Sequence, residues 1–243
     1  MKCVLLCAGY ATRLYPLTAT KPKALLDVAG KAILEHILNK VKNAGIYDIF
    51  LVTNELFALQ FRDWNHKNGS SVSIVSDGTK SNDERLGALR DLKLVLDTVS
   101  GSDDILLIAG DNLFEFSLQN MLILFREKKK SVVALHDLGE PSKASRKFGI
   151  VILDSHHKII DFEEKPAHPK SALAATCCYV LRKESIAQLS KYLKNPSGEN
   201  PGDFIRWLAQ REDVYGFPFT EAWFDVGSFE SLDAARRHYE ACT

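Results

Sequence analysis

Apolar and polar positions alternate along the chain in two regimes. In the first, short continuous apolar runs end at turn residues and give way to stretches of helical spacing. Residues 2–6 form the first run, and Ile33, Leu34, Ile37, Leu38 and Val41 then repeat every three or four positions up to Gly45. That pattern predicts a buried strand, a long loop and a helix closed by a glycine. Further strands are expected over 48–53, 72–76 and 105–109, with helices over 56–64 and 86–96. Strands that are apolar on both faces and alternate with helices imply a parallel sheet covered on both sides. From about residue 115 the pattern changes. A helix over 118–128 leads to strands near 131–136, 148–153, 159–163 and 173–181 with less helix between them. Helices near 184–193 and 201–210, a strand pair over 214–219 and 221–226 and a last helix over 229–240 complete the series. No Gly, Ser or Pro linker separates the two regimes, so one domain with two lobes is expected.

Composition narrows the function classes. With 243 residues, 46% of them hydrophobic, the chain can bury a large core. Lys plus Arg and Asp plus Glu are both 31, a balance that argues against nucleic acid as a partner. No apolar stretch reaches the roughly 18 residues of a membrane span, and the N-terminal apolar run is too short for a secretion signal. The five cysteines are odd in number and form no C-x-x-C pair. Cys3, Cys7, Cys177 and Cys178 lie in strand-like runs, which reads as buried, reduced thiols in a cytoplasmic protein. Cys242 is expected at the surface, and the histidines carry no metal spacing.

The candidate chemistry begins in the first thirty residues. A strand ends in Cys7-Ala8-Gly9-Tyr10-Ala11-Thr12-Arg13, followed by Lys21-Pro22-Lys23. Small residues let backbone approach a ligand closely, and Arg and Lys beside such a loop point to an anion, most often phosphate. The pattern is neither G-x-G-x-x-G nor G-x-x-x-x-G-K-[ST], so dinucleotide and Walker A readings fail. The stretch from Ala8 to about Lys31 is longer than a passive strand–helix connection, and such loops at strand C-termini bind ligands in open α/β sheets.

Residues 6–18 together with Lys21-Pro22-Lys23-Ala24-Leu25-Leu26 resemble the signature of the sugar-phosphate nucleotidyltransferases, the nucleotide-sugar pyrophosphorylases. Ala109-Gly110-Asp111-Asn112-Leu113-Phe114, Glu163-Glu164-Lys165-Pro166 and Trp223-Phe224-Asp225-Val226-Gly227 resemble later motifs of that family, in the family's order. The resemblance implies a Rossmann-like, GT-A-like three-layer αβα fold with a predominantly parallel mixed sheet. It implies a nucleotide-binding lobe over about 1–115, a smaller sugar-phosphate-binding lobe over about 116–220, and a closing metal-site strand and helix over 221–243. Arg13, Lys23 and Lys165 are then the expected catalytic cations. Asp111 and Asp225 are the expected ligands of a Mg²⁺ cofactor. Leu6, Ala8, Gly9, Ala11, Thr12, Gly87, Gly110, Gly149, Glu164 and Thr176 are the expected substrate contacts. The substrates implied are an NTP, with dTTP or UTP favoured, and a sugar-1-phosphate, with glucose-1-phosphate favoured. Homo-oligomerisation stays open. Two rival readings are a non-catalytic nucleotide or sugar-phosphate sensor on the same fold and a cytidylyltransferase acting on a non-sugar phosphate such as phosphocholine.

Elementary chemistry agrees with the resemblance. A phosphate monoester is already an anion, its second pKa lying near roughly 6, so nucleotidyl transfer needs no general base. Positioned cations and a hard metal ion suffice. The chain departs from the family at three places. Ala8 and Ala11 stand where many members have Gly, and Ala fits only where no positive φ is required. Arg85-Leu86-Gly87-Ala88-Leu89 departs from the commoner base-reading form Leu-Gly-Thr-Ala. The strand start at Phe148-Gly149 reads as a bulge or as a close approach to the sugar, and 139–147 as a mobile loop near it.

Overall fold

The computed structural model describes residues 1–99 and 101–242. In chain order the elements are β1 (Lys2–Leu6), β2 (Asp27–Val28), β3 (Lys31–Ala32), α1 (Ile33–Asn43), β4 (Ile49–Thr53), α2 (Glu55–Lys67), β5 (Ser73–Ser76) and α3 (Ala88–Thr98). There follow β6 (Ile105–Ala109), β7 (Asn112–Phe114), α4 (Leu118–Lys128), β8 (Ser131–Asp137), β9 (Gly149–Leu153), β10 (Ile159–Glu164) and β11 (Leu173–Leu181). The chain ends with α5 (Lys183–Ile186), α6 (Leu189–Tyr192), α7 (Pro201–Ala209), β12 (Val214–Phe219), β13 (Trp223–Asp225) and α8 (Phe229–Ala241). A mixed sheet flanked by helices makes this an α/β fold.

Two compact units emerge. The first comprises Met1–Ser100, Ile108–Glu115 and Trp223–Thr243, the second Gly101–Leu107 and Phe116–Ala222. In the first unit β4 lies between β1 and β5, with the β1–β4 and β4–β5 ladders parallel. The registers Cys3↔Ile49 and Phe50↔Ser73 align these strands so that their C-terminal ends reach one edge. β1 is buried over Cys3–Leu5, and α1 turns Ile33, Leu34, Ile37, Leu38 and Val41 inward. Burial of five such side chains stabilises by about 1.5–3 kcal/mol each, an upper bound because the unfolded chain is itself partly collapsed. Gly45, at φ +81°, closes the helix as its position suggested.

In the second unit β8 pairs antiparallel with β11 and parallel with β12, while β9 pairs antiparallel with β10 and β11. Tyr192, Phe204 and Trp207 pack ring against ring, with centroids 5.4–6.1 Å apart. Asn200, Pro201 and Asp203 start α7 with a capping box.

Several expectations change in detail. The segments 214–219 and 221–226 do not pair with each other. β12 pairs with β8, and β13 crosses back to β7, a strand too short for a periodicity to reveal. The expected helix over 184–193 breaks into α5 and α6. The helix expected from Leu86 begins at Ala88, because Gly87 holds φ +89° and ψ 151°, outside helical space. The expected 56–64 helix runs over Glu55–Lys67, started by the Asn54 cap. Cys177 is half-buried rather than buried, held at φ +53° where the β11–β8 register slips. The stretch 139–147 carries a one-turn helix at Pro141–Ala144 and is pinned by Arg146 N–H to the Pro166 carbonyl and Ser145 Oγ to the Ala167 carbonyl. Among the described residues, no helix is long and apolar enough to cross a membrane.

Candidate active site

The loop after β1 alternates anchors with exposed groups. Ala8 is buried, and its carbonyl accepts 3.0 Å from Nδ2 of Asn54, a fully buried residue whose Oδ1 caps α2 at Phe57 N–H. Tyr10 is buried, with its hydroxyl 3.0 Å from Thr79 Oγ1. Leu14 is fully buried, and the buried Thr18 hydroxyl donates 2.8 Å to the Ala11 carbonyl. Between these anchors Gly9, Thr12 and Arg13 are exposed. Ala11 itself sits at φ 48°, ψ 41° and starts the one-turn helix Thr12–Leu14. This is the left-handed region, so the condition under which Ala substitutes harmlessly for Gly fails at Ala11. It holds at Ala8, which is not among the positive-φ residues.

Lys23 begins a second one-turn helix behind Pro22, with Ala24 and Leu25 turned into the core. Its Nζ lies 2.5 Å from Asp111 Oδ2, with 20% of the lysine and 23% of the aspartate side chain exposed. Asp111 follows Gly110, whose N–H donates 2.9 Å to the Leu6 carbonyl at the end of β1. A Cβ on Gly110 would stand 2.3 Å from Cys7 Sγ and 3.0 Å from the Leu6 oxygen, so only Gly fits there. Cys7 is no nucleophile in this setting. Burial, and next the Asp111 charge, push its thiol pKa far up, with Lys23 opposing.

Asp225 reaches the same neighbourhood through the β7–β13 ladder. It is the Cα partner of Asn112, and Val226 N–H donates 3.1 Å to the Asp111 carbonyl. Trp223 Nε1 donates 3.0 Å to Oδ1 of the buried Asn112, which locks the pair. Among the described residues, no group of three or more His, Cys, Asp and Glu side chains comes together to hold a metal. Two carboxylates, Asp111 in the turn before β7 and Asp225 at the end of β13, nonetheless suit Mg²⁺, which binds through one or two carboxylates and completes its shell with water and substrate phosphate. The donor set therefore fits the ion. Gly87 needs its glycine, since its φ of +89° is closed to side chains, and its carbonyl accepts from the Arg90 and Asp91 N–H groups of α3 at 3.0 Å each.

The second unit holds the remaining candidates. Gly149 heads β9 and pairs regularly with Glu164, so of the two readings of this strand start the bulge is absent. Glycine is required instead by packing, because a Cβ would lie 2.7 Å from the Phe162 ring and 3.0 Å from Glu164 Oε2. Gly202 on α7 meets the same two groups at the same distances, a constraint that nothing in its sequence context announced. Between the paired acids, Glu163 is engaged by Lys170 at 2.6 Å, whereas Glu164 lies 3.6 Å from Lys165 Nζ and 3.4 Å from Asn200 Nδ2. Burial raises the Glu164 pKa, Asp203 adds to the rise and Lys165 opposes it. Lys165 is exposed and sits at φ 46°, while Thr176 is buried, its hydroxyl donating 3.2 Å to the Ala134 carbonyl. Left-handed backbone at Ala11, at Lys165 and at Cys177 beside Thr176 falls on or next to expected site residues. Such strain gathers where function over-determines the backbone.

Asn54, Asn200 and the buried acid Asp91 were not read from the sequence. The first two follow the N-cap signal, a polar residue before a helical run. Asp91 could have been found as a charge breaking the apolar stripe of Leu89, Leu92 and Val95.

The sequence model of the nucleotidyl transferase family matches residues 2–241. A bifunctional protein GlmU of Methanocaldococcus jannaschii is 33% identical over 230 residues, covering 93% of this chain and 51% of that protein. Its counterpart from Methanococcus aeolicus is 30% identical over 242 residues, covering 96% of this chain and 53% of the relative. The chain thus spans about half the length of the curated relatives it matches. A Bacillus anthracis structure described as a glucose-1-phosphate thymidylyltransferase, in complex with sucrose, superposes with a TM-score of 0.84 at 26% identity, covering 99% of this chain and 95% of that one. A UDP-glucose pyrophosphorylase complexed with UDP-glucose superposes with a TM-score of 0.84 at 23% identity, over 100% of this chain and 99% of that one, a likeness of fold. The chain belongs to the nucleotidyl transferase family, whose sugar-phosphate members its motifs resemble.

Proposed function

We propose that the chain joins an NTP to a sugar-1-phosphate, releasing pyrophosphate and an NDP-sugar. dTTP or UTP with glucose-1-phosphate is the favoured pair. The observation that carries the proposal is the Lys23–Asp111 contact of 2.5 Å at the strand edge, beside a loop that exposes Gly9, Thr12 and Arg13. A cation and a metal-ligating carboxylate next to open loop backbone supply the charge that phosphoryl chemistry needs. In this reading Arg13 and Lys23 bind the triphosphate and stabilise charge at the reacting phosphorus, while Leu6, Ala8, Ala11 and Gly110 shape the backbone around it. Gly87 lies against the base. In the second unit Lys165 binds the sugar phosphate, with Glu164, Gly149 and Thr176 contributing to the sugar side. Asp111 and Asp225 would hold Mg²⁺, which supplies Lewis-acid stabilisation of phosphate oxygens when bound. Among the described residues Cys3, Cys7, Cys177, Cys178 and Cys242 form no disulfide, which suits a cytoplasmic setting.

The test is pyrophosphate release with Mg²⁺, each of the common NTPs and a panel of sugar-1-phosphates that also contains phosphocholine. Turnover of a sugar-1-phosphate with dTTP or UTP is expected. A folded chain silent across the whole panel would sink the proposal, and turnover of phosphocholine alone would replace the sugar acceptor.

A further inference from the structure

Beneath the nucleotide loop lies a buried acidic network that the reaction as proposed does not use. The Thr79 hydroxyl and N–H both donate 2.8 Å to Asp77 Oδ1. Thr79 has one hydroxyl proton, so at 3.0 Å the Tyr10 hydroxyl must donate to Thr79, giving a chain Tyr10→Thr79→Asp77. Tyr10 stands between Gly9 and the strained Ala11, so this chain ties the loop to the end of β5. One turn into α3, Asp91 is only 6% exposed, and its Oδ1 has no hydrogen-bond partner. Asp77 Oδ2, also buried, has none either. The charges that bear on the cluster are carboxylates: Asp77 on Asp91, Glu55 on Asp77, and Asp77, Glu84 and Asp91 on the Tyr10 hydroxyl. Two carboxyls with unpartnered buried oxygens, one feeling the charge of the other, are costly to hold charged together.

We propose that Asp91 is a positioning residue for the nucleotide loop, its proton keeping Asp77 as the fixed acceptor on which Thr79, Tyr10 and the Gly9–Ala11 backbone hang. Burial, and next the Asp77 charge, raise the Asp91 pKa to about 7, so the proton is held below neutrality and lost above it. Loss of that proton places a second buried negative charge beside Asp77 and loosens the loop for an anionic substrate. The functional half of this inference rests on the reading of residues 8–13 as the nucleotide loop.

The experiment measures kcat and KM for UTP and dTTP from pH 6 to 9 in the wild-type chain and in Asp91→Asn, which keeps the shape and cannot ionise. The wild-type KM is expected to rise roughly three- to tenfold more than that of the variant as pH passes 7, with kcat moving alike in both. Taking the ratio of the two profiles cancels the titration of the substrate phosphates themselves. Parallel KM profiles would overturn the proposal. A second readout needs no turnover: deuterium exchange of amides 8–14, compared between the two proteins at each pH, should quicken above pH 7 in wild type alone. If no NTP is turned over, the proposed function fails, and this exchange decides the role of Asp91. Identical exchange in both proteins at every pH overturns it. Should Asp91→Asn not fold, Tyr10→Phe takes its place, cutting the tether at the loop. Its exchange and KM should be raised and insensitive to pH near 7, and a wild-type pH response in it would equally refute the proposal.

Discussion

Ala11 offers a measurement in which backbone geometry alone sets the outcome. The residue sits at φ 48°, ψ 41°, held there because its carbonyl accepts from Leu14 N–H at 2.9 Å and from the Thr18 hydroxyl at 2.8 Å. An L-residue with a Cβ pays about 1–2 kcal/mol in this region, a cost that Gly escapes. Gly in turn gives the unfolded chain more freedom, which costs about 0.4–1 kcal/mol. Ala11→Gly should therefore gain about 0.5–1 kcal/mol net. For a chain of this length about 1 kcal/mol moves Tm by roughly 2–4 °C, so an increase of about 1–4 °C is expected. Ala11→Val supplies the opposite arm. A β-branched side chain in left-handed space is a true outlier, and a loss of at least about 2 kcal/mol is expected. Urea unfolding followed by far-ultraviolet circular dichroism reads both. Both carbonyl contacts survive in Ala11→Gly, so its KM for NTP should stay within about twofold of wild type. A destabilised Gly variant, or a Val variant as stable as wild type, would show that Ala11 is not held in the left-handed region.

The remaining expectations concern charge and close packing. The Asp91 carboxyl is raised from 3.8 in the unfolded chain to about 7 in the folded one, so between those values the folded state binds the extra proton and stability falls as pH rises. At about 1.36 kcal/mol per unit the loss between pH 5 and pH 8 is at most about 3 kcal/mol, nearly all of it below about pH 7, and Asp91→Asn should flatten that slope in urea titrations at those two pH values. Lys23→Met removes a charge from the reacting phosphate and should lower kcat by about 10²–10³-fold, with the circular dichroism spectrum unchanged; unchanged turnover would remove Lys23 from the mechanism. Asp225→Asn should weaken Mg²⁺ binding in calorimetry while leaving the β7–β13 ladder, made by backbone groups, intact. Gly149→Ala forces a Cβ to within 2.7 Å of the Phe162 ring and should cost about 1–3 kcal/mol in chemical unfolding.

Much of the first unit was legible because its signals are local. The runs expected at 2–6 and 48–53 fold as β1 and β4, and the stripe of α1 buries what its period promises. The Lys23–Asp111 pair was legible only in part, since a motif can nominate two residues 88 positions apart but cannot bring them to 2.5 Å. β7 and β13 were misread for a physical reason. Three-residue strands carry too little periodicity, and β13 pairs with a segment more than a hundred residues upstream instead of with its chain neighbour. The strain at Ala11 was invisible because sequence records the missing glycine but not the φ the loop demands. Asp91 was passed over as one polar residue in a helix, whereas its significance comes from Asp77, which the fold brings to it from another loop.

The pairing of β13 with β7 also has a temporal side. On a ribosome adding about 5–20 residues per second, Asp225 emerges roughly 6–23 s after Asn112. During that interval the first unit has its parallel strands but lacks the strand that places Asp225, along with the Trp223 hydrogen bond that holds Asn112. Both carboxylates expected to ligate the metal are thus present together only when the last segment has returned. A nascent chain can therefore fold much of its first unit before Asp225 is in place beside Asn112, and that pairing becomes a late report that the intervening 107 residues of Phe116–Ala222 have been made.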